Sequence, residues 1–282
     1  MTITLDDIAD LARSAGALGV EHFGHVKAER KGDGTLVTAA DGAMQRLIVT
    51  GLRALQPDAR ALYILGEEDT EIPNPGVDDP REAHTVAAVD PLDGTTSFAA
   101  GLPLWGVSIG LLTHGRPAAG VVYMPLLGGS TGWMYRVDAT GQAQRNGDEL
   151  SVRPWEGWGK FSQVAVPSGF HRWARLQGFR GKLRSLGSTA HHVSLVAAGA
   201  LDAAVIGRAH LWDLAAAAAL LERAGGTLQT AEGKPANWQE LFFDRMQDQP
   251  LLVGAPQTVA SLAEILELTY APRPQRPDSV AP

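Results

Sequence analysis

Five short β-like runs, at residues 61–65, 86–89, 107–113, 119–123 and 132–137, dominate the first half of the chain. Turn residues such as His114 to Pro117 join several of them directly, which suits antiparallel hairpins better than a regular βαβ winding. Helical patterns precede this block. Thr4 followed by Asp7 reads as a capping box, and Ile8, Leu11, Ala12, Ala15 and Leu18 continue one apolar face to about Phe23. A second pattern covers 43–55 through Met44, Leu47, Ile48 and Leu52, and Pro57 closes it. The stretch 30–35 is a turn, and the Pro- and acid-rich stretch 70–81 is expected to be a mobile loop.

The second half reads differently. Strand-like 164–166, a helix over 188–198 and a strand over 202–206 lead to an alanine-rich helix over 214–223, which ends on Gly225-Gly226. A strand at 251–254 and a helix over 258–268 follow. Uneven alternation of this kind predicts a mixed, layered α+β architecture. The expected division is an N-terminal lobe over 1–145, a C-terminal lobe over 146–270 and a disordered tail over 271–282.

Composition narrows the partners. Of 282 residues 45% are hydrophobic, enough for a sizeable core. The net charge of −7, with Lys and Arg scattered, argues against nucleic acid. An acidic chain can still handle an anion through bound cations or a local pocket that reverses the field. The absence of cysteine removes disulfides, thiolate metal sites and a cysteine nucleophile. Acids stand near the N-terminus where a signal peptide carries basic residues, and no apolar run is long enough to span a bilayer. A cytoplasmic protein without a membrane partner is expected.

The chemistry-bearing residues are carboxylates at the ends of strands or the starts of helices. The apolar run before DPLDGTTSF stops at Asp90, with Asp93 three residues later. Asp-Pro followed by a Gly is an ordinary type I turn. Two carboxylates three apart can equally converge on a hard cation together with a main-chain carbonyl between them. Gly94 permits close backbone approach and Thr95-Thr96 add donors; a helix beginning there would favour an anion. Glu67, Glu68 and Asp69 read alone as a solvated acidic loop, Asp213 as the N-cap of the alanine helix, and Asp41 as a first-turn acid of the second helix. Capping and metal binding are compatible, because a carboxylate has two oxygens.

Taken together, the stretches LVTAAD (36–41), GEE (66–68), DPLDGTTSF (90–98), GVVYMP (120–125), RNG (145–147), RSLGSTA (184–190), LVAAGALDAA (195–204), WDLAAA (212–217) and ERAGG (222–226) resemble, in order, the inositol monophosphatase family. This is the magnesium-dependent, lithium-sensitive phosphatase group related to fructose-1,6-bisphosphatase. The resemblance implies an αβαβα layered sandwich and a homodimer. It implies metal ligation by Glu67, Asp90, the carbonyl of Leu92, Asp93 and Asp213, with Asp41 holding a weaker ion through water. Two or three Mg²⁺ ions are expected, with Li⁺ as an inhibitor. Thr95 with Glu67 would orient the attacking water, and the amides of Gly94 and Thr95 would hold the phosphate. Asp93, Ser188, Arg208 and Asp213 are the expected further contacts to a small phosphorylated metabolite.

Such chemistry agrees with the residues themselves. Hydrolysis of a phosphomonoester needs an in-line water, neutralised phosphoryl oxygens and a stabilised leaving alkoxide, all of which divalent cations supply.

Some positions depart from the inositol pattern. Ser97 stands where inositol phosphatases usually carry Asn, and the GTTSF…GLPLWGV form is closer to the histidinol-phosphatase branch, which commonly has Lys at Thr96. The family's sugar-binding Glu falls at Ile206, leaving Arg208 and His210 as nearby polar groups. Ser188-Thr189 replaces the usual Thr-Ala pair. His191-His192 have no spaced partner and read as core-edge or solvated residues; Trp155, Trp158, Trp173 and Trp238 read as packing or interface residues. Inositol 1-phosphate ranks first as substrate, followed by histidinol phosphate or a sugar or nucleotide phosphate. A non-catalytic phosphometabolite-binding protein is the rival of another class.

Overall fold

The computed structural model describes residues 3–25, 29–30, 36–68, 74–238, 241–242, 246–247 and 249–269. The expected tail over 271–282, most of the 30–35 turn and the first part of the 70–81 loop lie outside the described residues.

Two amphipathic helices, α1 (Leu5–His22) and α2 (Ala39–Leu55), cover one face of a seven-stranded sheet. Its strands follow the sequence: β1 (Leu62–Gly66), β2 (Thr85–Asp93), β3 (Gly106–Thr113), β4 (Arg116–Met124), β5 (Trp133–Val137), β6 (Gln144–Arg145) and β7 (Asp148–Glu149). The β1–β2 pair is parallel, and the remaining neighbours are antiparallel, as the hairpin spacing predicts. Alternation along β2 shows why the sheet is buried on both faces. Ala87 and Val89 pack with α1 and α2, whereas Val86 and Ala88 belong to a second core on the opposite side.

That second core is filled by α4 (Thr189–Ala197) and α5 (Leu211–Arg223), with the five-residue helix α3 (Thr95–Ala99) placed between β2 and β3. Beyond it lies a five-stranded sheet of β8 (Gln163–Ala165), β9 (Lys182–Arg184), β10 (Ala203–Ile206), β11 (Thr227–Thr230) and β12 (Leu251–Gly254), in the order β9-β8-β10-β12-β11. Its outer face packs Val164, Val205 and Leu252 against Val259 and Leu262 of α6 (Pro256–Ile265). The five layers α/β/α/β/α are those of the expected sandwich.

The alanine run of α5 now has a physical reason. Gly110 of β3 and Gly120 of β4 face each other in register. A Cβ on Gly110 would lie 2.6 Å from the Cβ of Ala215, and one on Gly120 2.9 Å from that of Ala216. The helix backbone therefore lies almost directly on the sheet, and its other faces are also buried. Only small side chains fit such a slot.

Several element boundaries differ from expectation, among them the start of α2, which lies four residues early at Ala39. The α5 helix starts at Leu211, three residues early, because His210 caps it and Asp213 takes the third helical position. Residues Leu266–Leu268 leave the helical pattern to pair antiparallel with Ala174–Leu176, a tertiary contact that overrides local propensity. The seven-stranded sheet ends at Glu149, and in its last hairpin Asn146 and Gly147 both have positive φ as a tight turn requires. Among the described residues no helix is long and apolar enough to cross a membrane.

Candidate active site

The site begins where β2 runs out. Its register with β3 shifts between Asp90 and Asp93, so the backbone bulges between the two carboxylates. Asp90 Oδ1 accepts the Leu92 amide at 2.9 Å, which closes a local turn. Gly94 follows with φ of 100°, and a Cβ there would lie 2.8 Å from the Leu104 carbonyl oxygen, so the position requires glycine. Helix α3 then starts at Thr95, whose hydroxyl donates to the Leu92 carbonyl at 3.1 Å and to Asp41 Oδ1 at 3.2 Å.

Two other helices deliver carboxylates by the same device. In α2, Asp41 is the third residue, and its Oδ2 accepts the Thr38 amide at 2.7 Å and the Thr38 hydroxyl at 2.6 Å. In α5, Asp213 is the third residue, and its Oδ2 accepts the His210 amide at 2.8 Å. Each cap occupies one oxygen and leaves the other for the site. Glu67 arrives from the end of β1, its amide donating to the Val89 carbonyl at 3.0 Å. Asp93 reaches in the opposite direction, towards α4. It accepts the Ser188 hydroxyl at 2.7 Å and the amides of Thr189 and Ala190 at 3.1 and 2.6 Å.

Electrostatics shows how tightly these groups are gathered. Burial, then Glu67, Asp93 and Asp213, push the Asp90 carboxyl well above its ordinary range. Burial and then Asp93 do the same to Asp213. Asp93 is pushed up to about 6 by burial even though three donors oppose the shift. Asp41 is also raised, mainly by burial and despite its bonds from Thr38. Buried carboxylates that mutually resist ionisation are a donor set suited to a hard divalent cation, whose charge would offset both burial and repulsion. Among the described residues, however, no three His, Asp or Glu side chains already stand round one point as a metal cage. The Asp93 oxygens point at α4, and one oxygen each of Asp41 and Asp213 is taken by its cap.

The structure thus brings Asp41, Glu67, Asp90, Leu92, Asp93, Gly94, Thr95 and Asp213 into one region. Ser188 is fully buried, and its hydroxyl donates to Asp93 at 2.7 Å and caps α4 by accepting the His191 amide at 3.1 Å. Ser97 is buried too, packed beneath Gly187. Ile206 is part of the core, while Arg208 is exposed. The His191 and His192 side chains are core groups, pushed down by burial to about 3 and about 4 and hence neutral.

His210 was missed as a cap, because imidazole is not a favoured N-cap type. Its ring stacks on Trp212 at 4.6 Å and 7°. A separate half-open cavity of about 500 Å³ lies at the far end of β2, lined in part by Arg81, His84, His114 and Phe242, and holds none of the predicted site residues.

The chain is similar to several known proteins. A model of the inositol monophosphatase family matches residues 5–273. The probable inositol 1-monophosphatase ImpA of Mycobacterium tuberculosis is 33% identical over 85% of this chain and 84% of its own. The 3'(2'),5'-bisphosphate nucleotidase CysQ of Shigella flexneri is 32% identical over 83% of this chain and 93% of its own. Among solved structures, Thermotoga maritima IMPase TM1415 superposes with a TM-score of 0.75 at 26% identity, covering 93% of this chain and 97% of that one.

Proposed function

The chain belongs to the inositol monophosphatase family, a family of phosphatases, and from that premise we propose that it is a Mg²⁺-dependent phosphomonoesterase of a small metabolite, with inositol 1-phosphate ranked first. The observation that carries this reading is the gathering of Asp90, Asp93, Asp213 and Glu67 near the end of β2, with each of the three aspartates raised first by burial and then by nearby carboxylates. Glu67, Asp90, the Leu92 carbonyl, Asp93 and Asp213 would hold Mg²⁺, with Asp41 as a weaker contributor. When bound, the ions supply charge neutralisation on the phosphoryl oxygens, an acidified water and stabilisation of the leaving oxygen.

The chain's own residues account for orientation. The Thr95 hydroxyl is fixed between Asp41 and the Leu92 carbonyl, and its oxygen can align a water in line with the scissile bond. Glu67 takes that water's proton. The amides of Gly94 and Thr95 face the phosphate, and Arg208 lies on the side of the alcohol. The reading has the enzyme in the cytoplasm as a homodimer.

A second reading, a nucleotide phosphate, is favoured by the stacked His210–Trp212 pair beside Asp213 and by apolar Ile206 where a polyol-binding acid would stand. Trp212 and Ile206 are themselves buried, so a base would meet the half-buried His210 ring, and no acid at 206 would meet ring hydroxyls.

The test is phosphate release from inositol 1-phosphate, histidinol phosphate, fructose 1,6-bisphosphate and 3′-phosphoadenosine 5′-phosphate, each with and without Mg²⁺. The expected outcome is Mg²⁺-dependent release that Asp93→Asn abolishes, fastest with inositol 1-phosphate. Faster release from the nucleotide selects the second reading. No release from any compound defeats both and leaves a phosphometabolite-binding protein.

A further inference from the structure

Gln45 lies on α2 one turn beyond Asp41, so the two side chains share a face of the helix. It is 1% exposed. Its Nε2 donates to the Glu68 carbonyl at 2.8 Å, and that carbonyl acceptor fixes which end of the amide is nitrogen. The nitrogen end of the amide abuts Gly66: a Cβ there would collide with Nε2 and lie 2.6 Å from Cδ. Among the described residues Oε1 is buried with no partner. Burying an unpaired amide oxygen is costly, so a residue kept only to fill this space would be Leu or Met.

The consequence falls on Glu67. Its amide is tied to β2 through Val89, and the next carbonyl in the chain is tied to α2 through Gln45. We propose that Gln45 is a positioning residue that sets the 66–68 loop and thereby the Glu67 carboxylate, an inference that rests on the water-orienting role given to Glu67 above. One helix face then aligns both members of the pair assigned to the attacking water. Asp41 holds Thr95, and Gln45 holds the loop of Glu67.

Gln45→Met keeps length and volume but removes the donor. In the metal-free full chain, hydrogen exchange at the Glu67 and Glu68 amides should speed up while the melting temperature barely moves. Calorimetric Mg²⁺ affinity should weaken severalfold. On the panel compound that the wild type hydrolyses fastest, kcat should fall about tenfold with KM within about twofold, the split expected of lost alignment. Gly66→Ala, which pushes the amide away, should reproduce this pattern. Gln45→Ala combined with Gly66→Ala should be no worse than Gln45→Ala alone, because both break one tie.

Unchanged exchange and Mg²⁺ affinity in Gln45→Met would overturn the proposal, as would additive losses in the double variant. If Gln45→Met does not fold, exchange in Gly66→Ala decides alone. A wild type that hydrolyses nothing defeats the phosphatase reading, while exchange still decides whether the tie exists. An active wild type matched by Gln45→Met defeats only the role of Gln45.

Discussion

Two helix starts in this molecule are built almost identically and do opposite things. At α1, Asp7 Oδ2 accepts the Thr4 amide at 2.8 Å and the Thr4 hydroxyl at 2.7 Å. At α2, Asp41 Oδ2 accepts the same two groups of Thr38 at 2.7 and 2.6 Å. Yet the Asp7 carboxyl is held below its ordinary value, chiefly by the Thr4 hydrogen bonds, while Asp41 is raised, chiefly by burial. The cap is the same; the surroundings of the second oxygen differ. That of Asp41 meets Thr95 inside the site. A local motif therefore fixes where a carboxylate stands, and depth in the fold decides what it can do.

The sharpest way to break this comparison is to act on the buried side alone. Glu67→Gln should cut turnover by roughly 10²–10⁴-fold, the range for loss of a general base. Unchanged turnover would move the assignment to Glu68. Asp41→Asn should cost about 10–100-fold in turnover or Mg²⁺ affinity, as is usual for a group that orients a ligand. Asp7→Asn should leave both unchanged and lower the melting temperature only slightly. Equal losses from the two variants would mean that depth is not what separates them.

The smallest effect concerns pH. Asp41, Asp90, Asp93 and Asp213 all have raised folded-state values. Their contribution to the metal-free fold is therefore present below the unfolded value and lost as pH rises through the folded one. For Asp93 that window runs from the ordinary 3.8 to about 6, and for Asp90 and Asp213 it likewise opens at 3.8 and extends upward. Asp7 has the opposite sign, contributing above the ordinary value and losing that as pH falls through its lowered one. Melting curves should accordingly show a larger gain from saturating Mg²⁺ at pH 8 than at pH 5.5. A gain that shrinks with rising pH would contradict the assignment of these carboxylates as ligands.

Much of the site was legible because its carboxylates sit at boundaries that composition marks. Asp90 ends an apolar run, and Asp41 follows a Thr at capping distance. The family motifs then linked these points. What was not legible depends on long-range contact. Ser188 reads as a hydroxyl at a helix start and an expected substrate contact, and only the fold shows it bonded inward to Asp93. Gln45 is one polar letter in an amphipathic pattern until the 66–68 loop crosses it. Strand β9, with the sequence KLR, has no apolar alternation long enough to register, and Leu266–Leu268 continue a helical pattern that pairing overrules. Short edge elements are specified by their neighbours more than by themselves.

The alanines of α5 have a further consequence for Asp213, which that helix carries into the site. Alanine has no side-chain torsion, so the contact between α5 and the Gly110–Gly120 pair has no alternative rotamers to populate. Longer side chains at such a contact would hop between wells as temperature rises, and the helix would drift with them. Here the bearing surface has a single state. The position of Asp213 is thus insulated from thermal noise along its main support, and the spread of its carboxylate is left to the short cap at His210.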